Sequence, residues 1–376
     1  MNIDSTVNPA YHAWLASALF PSGIAGKLLN TYGSPEEVFR AFVNKDADVF
    51  CSISGSARKT LEKNSSASVL SWWKEVMEKN GISAITYMDE LYPASLRDFE
   101  DLPSILFYQG DISCLERKRI ISVIGSRRAT YDGLRAAEKV ARSLSEKNVT
   151  VISGFAAGID TAAHRGCLKG NSPTAAFMGC GLDRCYPAEN AALRNEILNK
   201  GGLLISEFSP GEPPAGWHFP HRNRLISGAS KATVLIEARI KSGSISTVQH
   251  ALEQGREVFV YPGDPGSPAF EGNHILLREG ARFFTKAEDI LDDLGWLDNT
   301  DKVGQNNHCE KGAEPSGLSP EQNLVYQTLK RGRLSFDQLC AHTRLSPSEL
   351  FGILTVLQIN GIIEVLPGKM YQIKND

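Results

Sequence analysis

Buried-strand and amphipathic-helix patterns alternate through the middle of the chain, from residue 83 to about residue 297. Residues 120–124 (IISVI) form a continuous apolar run, typical of a strand covered on both faces, and residues 131–147 follow with helical spacing. The same alternation predicts strands at 149–153, 173–178, 203–207, 233–237 and 258–261, with a helix at 159–169. Apolar strands that alternate with helices indicate an α/β fold, here an extended Rossmann-like parallel sheet core.

The first 82 residues show a different pattern, with apolar positions at helical spacing and no strand runs. Two tight turns, at 22–27 and 53–59, each lead into a helix, which predicts an N-terminal helical domain of the SAM-like or helix-hairpin-helix type. Backbone N–H groups at such helix starts can hold phosphate. A domain that contacts another protein is the alternative.

The last part of the chain is set apart by residues 298–317, which are polar and aperiodic and predict a linker. Residues 318–376 predict three short helices and a hairpin, the layout of a C-terminal winged-helix domain, with Ser346 and Glu349 forming a capping box. This segment carries six basic and five acidic residues. So weak a positive charge leaves duplex DNA, a protein partner and autoregulation all open.

Composition narrows the class of protein. Hydrophobic residues make up 42% and charged residues 22% of the chain, as in globular proteins. No apolar run approaches the roughly 20 residues that cross a bilayer, and the start lacks a secretory signal, so no membrane contact is expected. The seven cysteines are scattered without a CxxC pair, which argues against zinc ribbons and disulfide frameworks and predicts a cytoplasmic location. With a net charge of −3, any nucleic-acid site must be a local basic patch.

Ligands of parallel sheets bind beyond the carboxyl ends of the strands, where this chain has its Gly-rich loops. The first loop, 125–133, combines a glycine, a helix start and two arginines, Arg127 and Arg128, which suits an anion. The second loop, 153–160, is built of small residues before a helix and suits a phosphate. His164 lies on the same helix face as Asp160, so the pair forms either a catalytic dyad or a hydrogen bond that fixes the loop.

The third loop, 219–228, gives the clearest basic patch, since cations occur from Phe219 to Lys231 without an acidic residue. Arginine can stack on bases and pair with phosphate, and asparagine can bind a base edge. The fourth loop, 242–246, offers hydroxyl and N–H groups. The candidate DNA-binding residues on these loops are Gly125, Ser126, Arg127, Arg128, Thr130, Gly154, Gly158, Asp160, Arg222, Asn223, Arg224, Lys231, Ser242, Gly243 and Ser244.

Several common chemistries lack their motifs in this sequence. It has no GxxxxGK[ST] phosphate loop, no HExxH metal site, no GxSxG nucleophile elbow and no GxGxxG fingerprint on the first loop. We therefore expect no catalytic residue, no metal ligand and no bound cofactor.

A set of ordered motifs resembles the DNA-processing protein A (DprA/Smf) family. The motifs cover most of the chain: YP at 92–93, LP at 102–103, GSRRATYDG at 125–133, SGFAAGIDTAAH at 153–164, GCGLDRCYPAEN at 179–190, SEFSPG at 206–211, FPHRNRLISG at 219–228, EARIKSGSIST at 237–247, EQGREVFVYPG at 253–263 and EGNHILLREGA at 271–281. The three blocks predicted above agree with the layout of that family.

The resemblance implies a non-catalytic homodimer that binds single-stranded DNA and helps to load the RecA recombinase onto it, usually in natural transformation. It also implies that Arg127, Arg222 and Arg224 border the DNA pocket. The sequence departs from some relatives at Ala188-Glu189, where they have a basic residue, so one phosphate contact is in doubt.

Two alternatives belong to other classes. The first is a nucleotide-binding or nucleotide-hydrolysing enzyme of the lysine-decarboxylase-like Rossmann group, whose PGGxGTxxE segment supplies a catalytic glutamate. This chain has SGSIST without a glutamate at the matching offset, and Glu237 precedes the loop instead. The second alternative is a scaffold whose main ligand is a protein, with DNA as a secondary ligand.

Overall fold

The structure is a computed structural model that describes residues 8–18, 23–97, 101–297, 318–330, 332–360, 362–366 and 370–373. It divides into two compact units, residues 1–297 and 298–376. The predicted linker at 298–317, residues 367–369 of the predicted C-terminal hairpin and Ser22 of the first predicted tight turn lie outside the described residues.

The larger unit contains a nine-stranded sheet in the order β1-β2-β6-β5-β4-β3-β7-β8-β9. Strands β3 to β9 pair in parallel, whereas β1 pairs with β2, and β2 with β6, in antiparallel fashion. The strands are β1 (Ser83–Thr86), β2 (Ile105–Gly110), β3 (Ile120–Ile124), β4 (Thr150–Ser153), β5 (Thr174–Phe177), β6 (Leu203–Ser206), β7 (Ala232–Leu235), β8 (Glu257–Val260) and β9 (Arg282–Phe283).

Helices precede the sheet and cover it. The helices before the sheet are α1 (Ala10–Ala16), α2 (Ile24–Tyr32), α3 (Pro35–Val43), α4 (Ala47–Ser52), α5 (Gly55–Asn64) and α6 (Ala67–Asn80). Those that alternate with strands are α7 (Tyr131–Glu146), α8 (Ile159–Cys167), α9 (Ala191–Asn199), α10 (His218–Gly228), α11 (Ser244–Glu253), α12 (Glu271–Arg278) and α13 (Ala287–Asp293). The predicted α/β fold with a parallel sheet core is thereby confirmed.

The antiparallel edge formed by β1 and β2 was not predicted. Residues 105–109 of β2 are buried, as in a central strand, because β6 and β1 pair with both of its edges and its alternate side chains enter two different core clusters. The sequence between β1 and β2 contains no crossover helix, so the strand–helix alternation that reveals the parallel strands is missing there.

The N-terminal helices share a hydrophobic core with the sheet. Trp14 belongs to the same buried cluster as Phe155 and Met178, and the indole N–H of Trp73 donates to the carbonyl of Pro210 at 3.0 Å. The predicted boundary at residue 82 therefore separates two parts of one compact unit. At the second predicted turn, Ser54 Oγ accepts from the N–H of Ala57 at 3.2 Å, so a side chain already caps the start of α5.

The smaller unit has the predicted winged-helix layout. Its elements are α14 (Pro320–Leu329), β10 (Leu334–Ser335), α15 (Phe336–Thr343), α16 (Pro347–Ile359), β11 (Ile363–Leu366) and β12 (Met370–Ile373), with the strands in the order β10-β12-β11. Ser346 and Glu349 form the predicted capping box at α16. That helix contains no basic residue. Among the helices that the structure describes in both units, none has the length and apolar character needed to span a bilayer.

Candidate nucleic-acid interface

A cavity of about 800 Å³ lies at the carboxyl ends of the parallel strands, and we call it the strand-end cavity. Parallel strands bring their carboxyl ends to one edge of the sheet, so loops distant in sequence meet there. Of the predicted residues, the cavity is lined by Gly125, Ser126, Arg127, Arg128, Asp160, Arg222, Asn223, Ser242, Gly243 and Ser244. Thr130, Gly154, Gly158, Arg224 and Lys231 are not among its lining residues.

Glu237, which is only 1% exposed, holds the first loop in place through hydrogen bonds. The N–H of Ser126 donates to the carbonyl oxygen of Glu237 at 2.8 Å, and the N–H of Thr130 donates to its carboxylate at 2.9 Å. Thr130 also caps α7, accepting from the N–H of Gly133. Thr130 therefore holds the loop in place and does not line the cavity, where we predicted a ligand contact for it.

The second loop supports the first loop, and two of its polar groups, which we predicted to hold a phosphate, bind within the protein. The N–H of Ile159, at the start of α8, donates to the carbonyl of Ser126 at 3.1 Å. The N–H of Ala156 donates to Oδ2 of Asp160 at 3.2 Å, so the carboxylate occupies the place an anion would take. Gly158 has φ +82°, and a Cβ there would overlap the carbonyl of Ser126. Gly158 therefore serves the close packing of the second loop against the first.

Arg222 provides a buried cation at the cavity. Its side chain lines the cavity although the residue is only 3% exposed, and Gly154 makes room for it, because a Cβ on Gly154 would overlap Nη1. Within the part of the chain that the structure describes, Nε and Nη1 of Arg222 have no hydrogen-bond partner. Burial lowers the pKa of Arg222 to about 10, which the nearby charge of Asp160 partly offsets. Unpaired buried donors are costly, so an anion bound beside this guanidinium would lower the cost of burying it.

Asp160 and His164 do not form a dyad. Nδ1 of His164 lies 2.8 Å from Oγ1 of Thr174, and burial, with a smaller effect of Arg222, lowers the pKa of His164 to about 3. Burial raises the pKa of Asp160 above its ordinary value, with Arg222 opposing that shift. Both side chains fix local geometry, each through its own partner.

Arg224, which we predicted beside Arg222 at the DNA site, points away from the cavity. Residues two positions apart on a helix face opposite sides, so Arg222 and Arg224 of α10 cannot share one site. Arg224 is 8% exposed. Its guanidinium binds the carboxylate of Glu207 at 2.7 and 2.9 Å and that of Asp101 at 2.9 Å. Its charge is thus already neutralised by two carboxylates.

Lys231, which we also predicted at the DNA site, does not line the strand-end cavity. It directly precedes β7, and its N–H donates to the carbonyl of Ile120 at 2.9 Å, at the first residue of β3. Lys231 therefore lies at the amino ends of these strands, opposite the strand-end cavity. Lys231 was predicted as a contact because it follows the basic patch closely in sequence. Since β7 runs from Lys231 towards the cavity, Lys231 lies at the other end of that strand.

We expect Arg224→Met to lower stability and leave DNA affinity nearly unchanged. Removing the guanidinium leaves the half-buried Glu207 without its arginine partner, with Nε2 of His221 still 3.6 Å away, at a cost of about 3 kcal/mol. Thermal unfolding and oligonucleotide anisotropy check the two effects separately. The double variant E207Q/R224M should recover much of the stability, and a stable variant with lost binding would contradict this assignment.

Exposed cations surround the mouth of the cavity. Arg127 and Arg128 come from the first loop, and Arg239 and Lys241 from the segment after β7. None of the four forms an ion pair with another described residue. The sequence prediction did not include Arg239 and Lys241, although both stand in the EARIKSGSIST motif, just before the fourth loop. The local patch that an acidic chain needs for binding DNA is present here.

An aromatic wall lines the same cavity. The guanidinium carbon of Arg127 lies 4.6 Å from the ring centroid of Phe219, and the rings of Phe219 and Tyr186 are 5.5 Å apart. Tyr186 is 43% exposed. Neither ring was predicted. Aromatic faces beside cations are the combination on which unpaired bases stack.

The fourth loop is tied to α10 by Asn223. Its side-chain amide donates to Oγ of Ser246 at 3.0 Å and to the carbonyl of Gly243 at 3.3 Å. Oγ of Ser242 lies 2.7 Å from Oγ of Ser244. The amide thus holds the loop against the helix that carries Arg222.

Comparison with known proteins gives two family matches. The model described as DNA recombination-mediator protein A matches residues 83–295, and the model described as DprA winged helix domain matches residues 310–369.

Individual relatives agree with these matches. Protein Smf of Escherichia coli is 42% identical over 205 residues, which is 54% of this chain and 54% of that protein, so the match spans about half of its length. The crystal structure of DNA processing protein A from Streptococcus pneumoniae has a TM-score of 0.64 at 31% identity, covering 78% of this chain and 99% of that one. The structure of DNA processing protein A from Helicobacter pylori, described for its single-stranded DNA binding mode, has a TM-score of 0.52 at 28% identity and covers 57% of this chain and 95% of that one.

Proposed function

Because the chain belongs to the DNA recombination-mediator protein A family, we propose that it binds single-stranded DNA in the strand-end cavity and takes part in DNA processing for recombination. The observation that carries the proposal is the buried guanidinium of Arg222, whose Nε and Nη1 have no partner among the described residues. A phosphate oxygen would supply the acceptor that these nitrogens lack and a negative charge in addition to that of Asp160.

The rest of the cavity suits a nucleic acid strand. Arg127, Arg128, Arg239 and Lys241 can pair with successive phosphates at the mouth, and the wall of Phe219 and Tyr186 can stack a base. Stacking on that wall requires a base that has left its complementary strand. A duplex keeps its bases inside, so it would reach only the cations.

We expect a preference for single strands of at least about tenfold, because stacking contributes roughly 1–3 kcal/mol per base. Fluorescence anisotropy of labelled oligo-dT and of a blunt duplex of equal length, at moderate salt, measures it. Phe219→Ala should reduce the difference in affinity between single strand and duplex, because it should weaken the binding of the single strand only. Equal affinity of the wild type for both ligands would refute binding by this wall.

Binding without catalysis is part of the proposal. Glu237, the carboxylate that precedes the fourth loop, is buried and used by Thr130, so it is not available as the catalytic glutamate of a nucleotide hydrolase. Release of free base from a nucleoside monophosphate would reinstate the enzyme alternative.

Handing the bound strand to RecA, as a homodimer in the cytoplasm, is the further role that the family resemblance supports. Two measurements test it: the solution mass by light scattering, and the rate at which RecA assembles on single strands with and without the protein. A monomer that leaves RecA assembly unchanged would restrict the role to strand binding.

A further inference from the structure

Helix α7 begins beside the cavity mouth and carries an exposed aromatic ring in its first turn. Tyr131 is 73% exposed, and it follows the loop that contributes Arg127 and Arg128. The guanidinium carbon of Arg135, one helical turn further on, lies 5.8 Å from the ring centroid of Tyr131. Nothing in the cavity described above uses this ring.

Two unpaired cations continue from Tyr131 along the same face of α7. Tyr131, Arg135 and Lys139 are spaced four residues apart, so they form one row about 12 Å long, which we call the α7 ridge. Arg135 and Lys139 are exposed, and no ion pair joins either to another described residue.

The carboxylates around the ridge do not neutralise it. Glu138 pairs with Lys169, and Glu146 pairs with Arg142 at 2.8 Å, so each is engaged by another cation. Asp132 is exposed and lies three residues before Arg135, so it is a neighbour of the ridge, but no ion pair joins it to another described residue. With two cations and one such carboxylate, the ridge keeps a net positive charge in a chain of net charge −3.

We propose that the α7 ridge is a second binding segment for single-stranded DNA, which continues the track of the strand outside the cavity. One base stacks on Tyr131 while phosphates pair with Arg135 and Lys139. This inference rests on the proposed function, since it assumes a strand in the cavity. The composition favours DNA over protein, because one aromatic ring with two cations resembles sequence-tolerant strand sites, whereas protein interfaces need an apolar centre.

The test is a length series of oligo-dT, starting at about 4 nucleotides, measured by anisotropy with the full chain. The variants R135E/K139E and Y131A should bind the shortest oligonucleotides like the wild type and bind long ones about tenfold more weakly. Tyr131→Phe keeps the ring and should behave as the wild type. K59E/K63E on α5 is the matched control, with the same spacing, exposure and change of charge.

Each result separates the ridge from the cavity. If R127A weakens the binding of oligo-dT at every length while the ridge variants bind like the wild type at every length, the ridge proposal is wrong. The cavity proposal then still stands. Equal losses in R135E/K139E and K59E/K63E also overturn it, because net charge would then explain both. A wild type that binds no oligonucleotide refutes the proposed function itself.

Discussion

Replacing Arg222 by methionine is expected to weaken single-strand binding by about 10- to 100-fold, because a hydrogen bond to a charged group contributes roughly 1.5–3 kcal/mol. No other described cation lining the cavity is as deeply buried, so the loss should exceed that of any single cation at the mouth. The substitution also removes the stronger of the two arginine charges that act on buried Asp160 and leaves only the weaker effect of Arg127, which should lower the melting temperature.

A second variant separates these two effects. D160N/R222M removes both buried charges, so it should regain stability without regaining DNA affinity. Anisotropy and thermal unfolding on the same samples give both quantities. If R222M folded normally and bound oligo-dT as tightly as the wild type, the buried guanidinium would have no role in binding.

The other substitution with a large expected effect is Gly158→Ala. The backbone of Gly158 has φ +82° and ψ −126°, a conformation nearly restricted to glycine and costing about 1–3 kcal/mol for other residues. The added Cβ would also overlap the carbonyl of Ser126 and push on the loop that carries Arg127. We expect Gly158→Ala to lower the free energy of unfolding by about 3 kcal/mol, through strain and overlap together. The melting temperature should fall by several degrees, and DNA binding should weaken.

Gly243→Ala is the matched control for this substitution. Gly243 has φ −62°, and a Cβ there would meet nothing within 4 Å. Its stability should remain that of the wild type, although Gly243 also lies on a Gly-rich loop at the cavity. Equal stability of the two variants would show that the conformation of Gly158 imposes no strain.

The strand–helix alternation was sufficient to predict the parallel half of the sheet, because each parallel pair needs a crossover helix that marks the sequence. It could not predict β1 and β2, which pair without one. Nor could it show that the helices before residue 82 pack on the sheet. Helical spacing indicates that the helix face with Trp14 is buried, but not which element packs against that face.

At the site, the motifs identified the right loops but not the direction of every side chain. Arg222 and Arg224 stand in one basic stretch, and helical geometry places them on opposite sides of α10. Which side faces the cavity is decided by Glu207 and Asp101, and Asp101 is distant from α10 in sequence. Similarly, the burial of Arg222 depends on Gly154, whose missing side chain leaves the space.

The binding of DNA at the strand-end cavity is tested most directly by the salt dependence of oligo-dT affinity in the wild type and in R127A/R239A. Both side chains are exposed and unpaired among the described residues, so the variant should fold normally. We predict tight wild-type binding and, in the variant, weaker binding with a log–log slope shallower by about 0.7 for each lost phosphate contact. The same affinity and slope in both proteins would place the DNA elsewhere on the molecule.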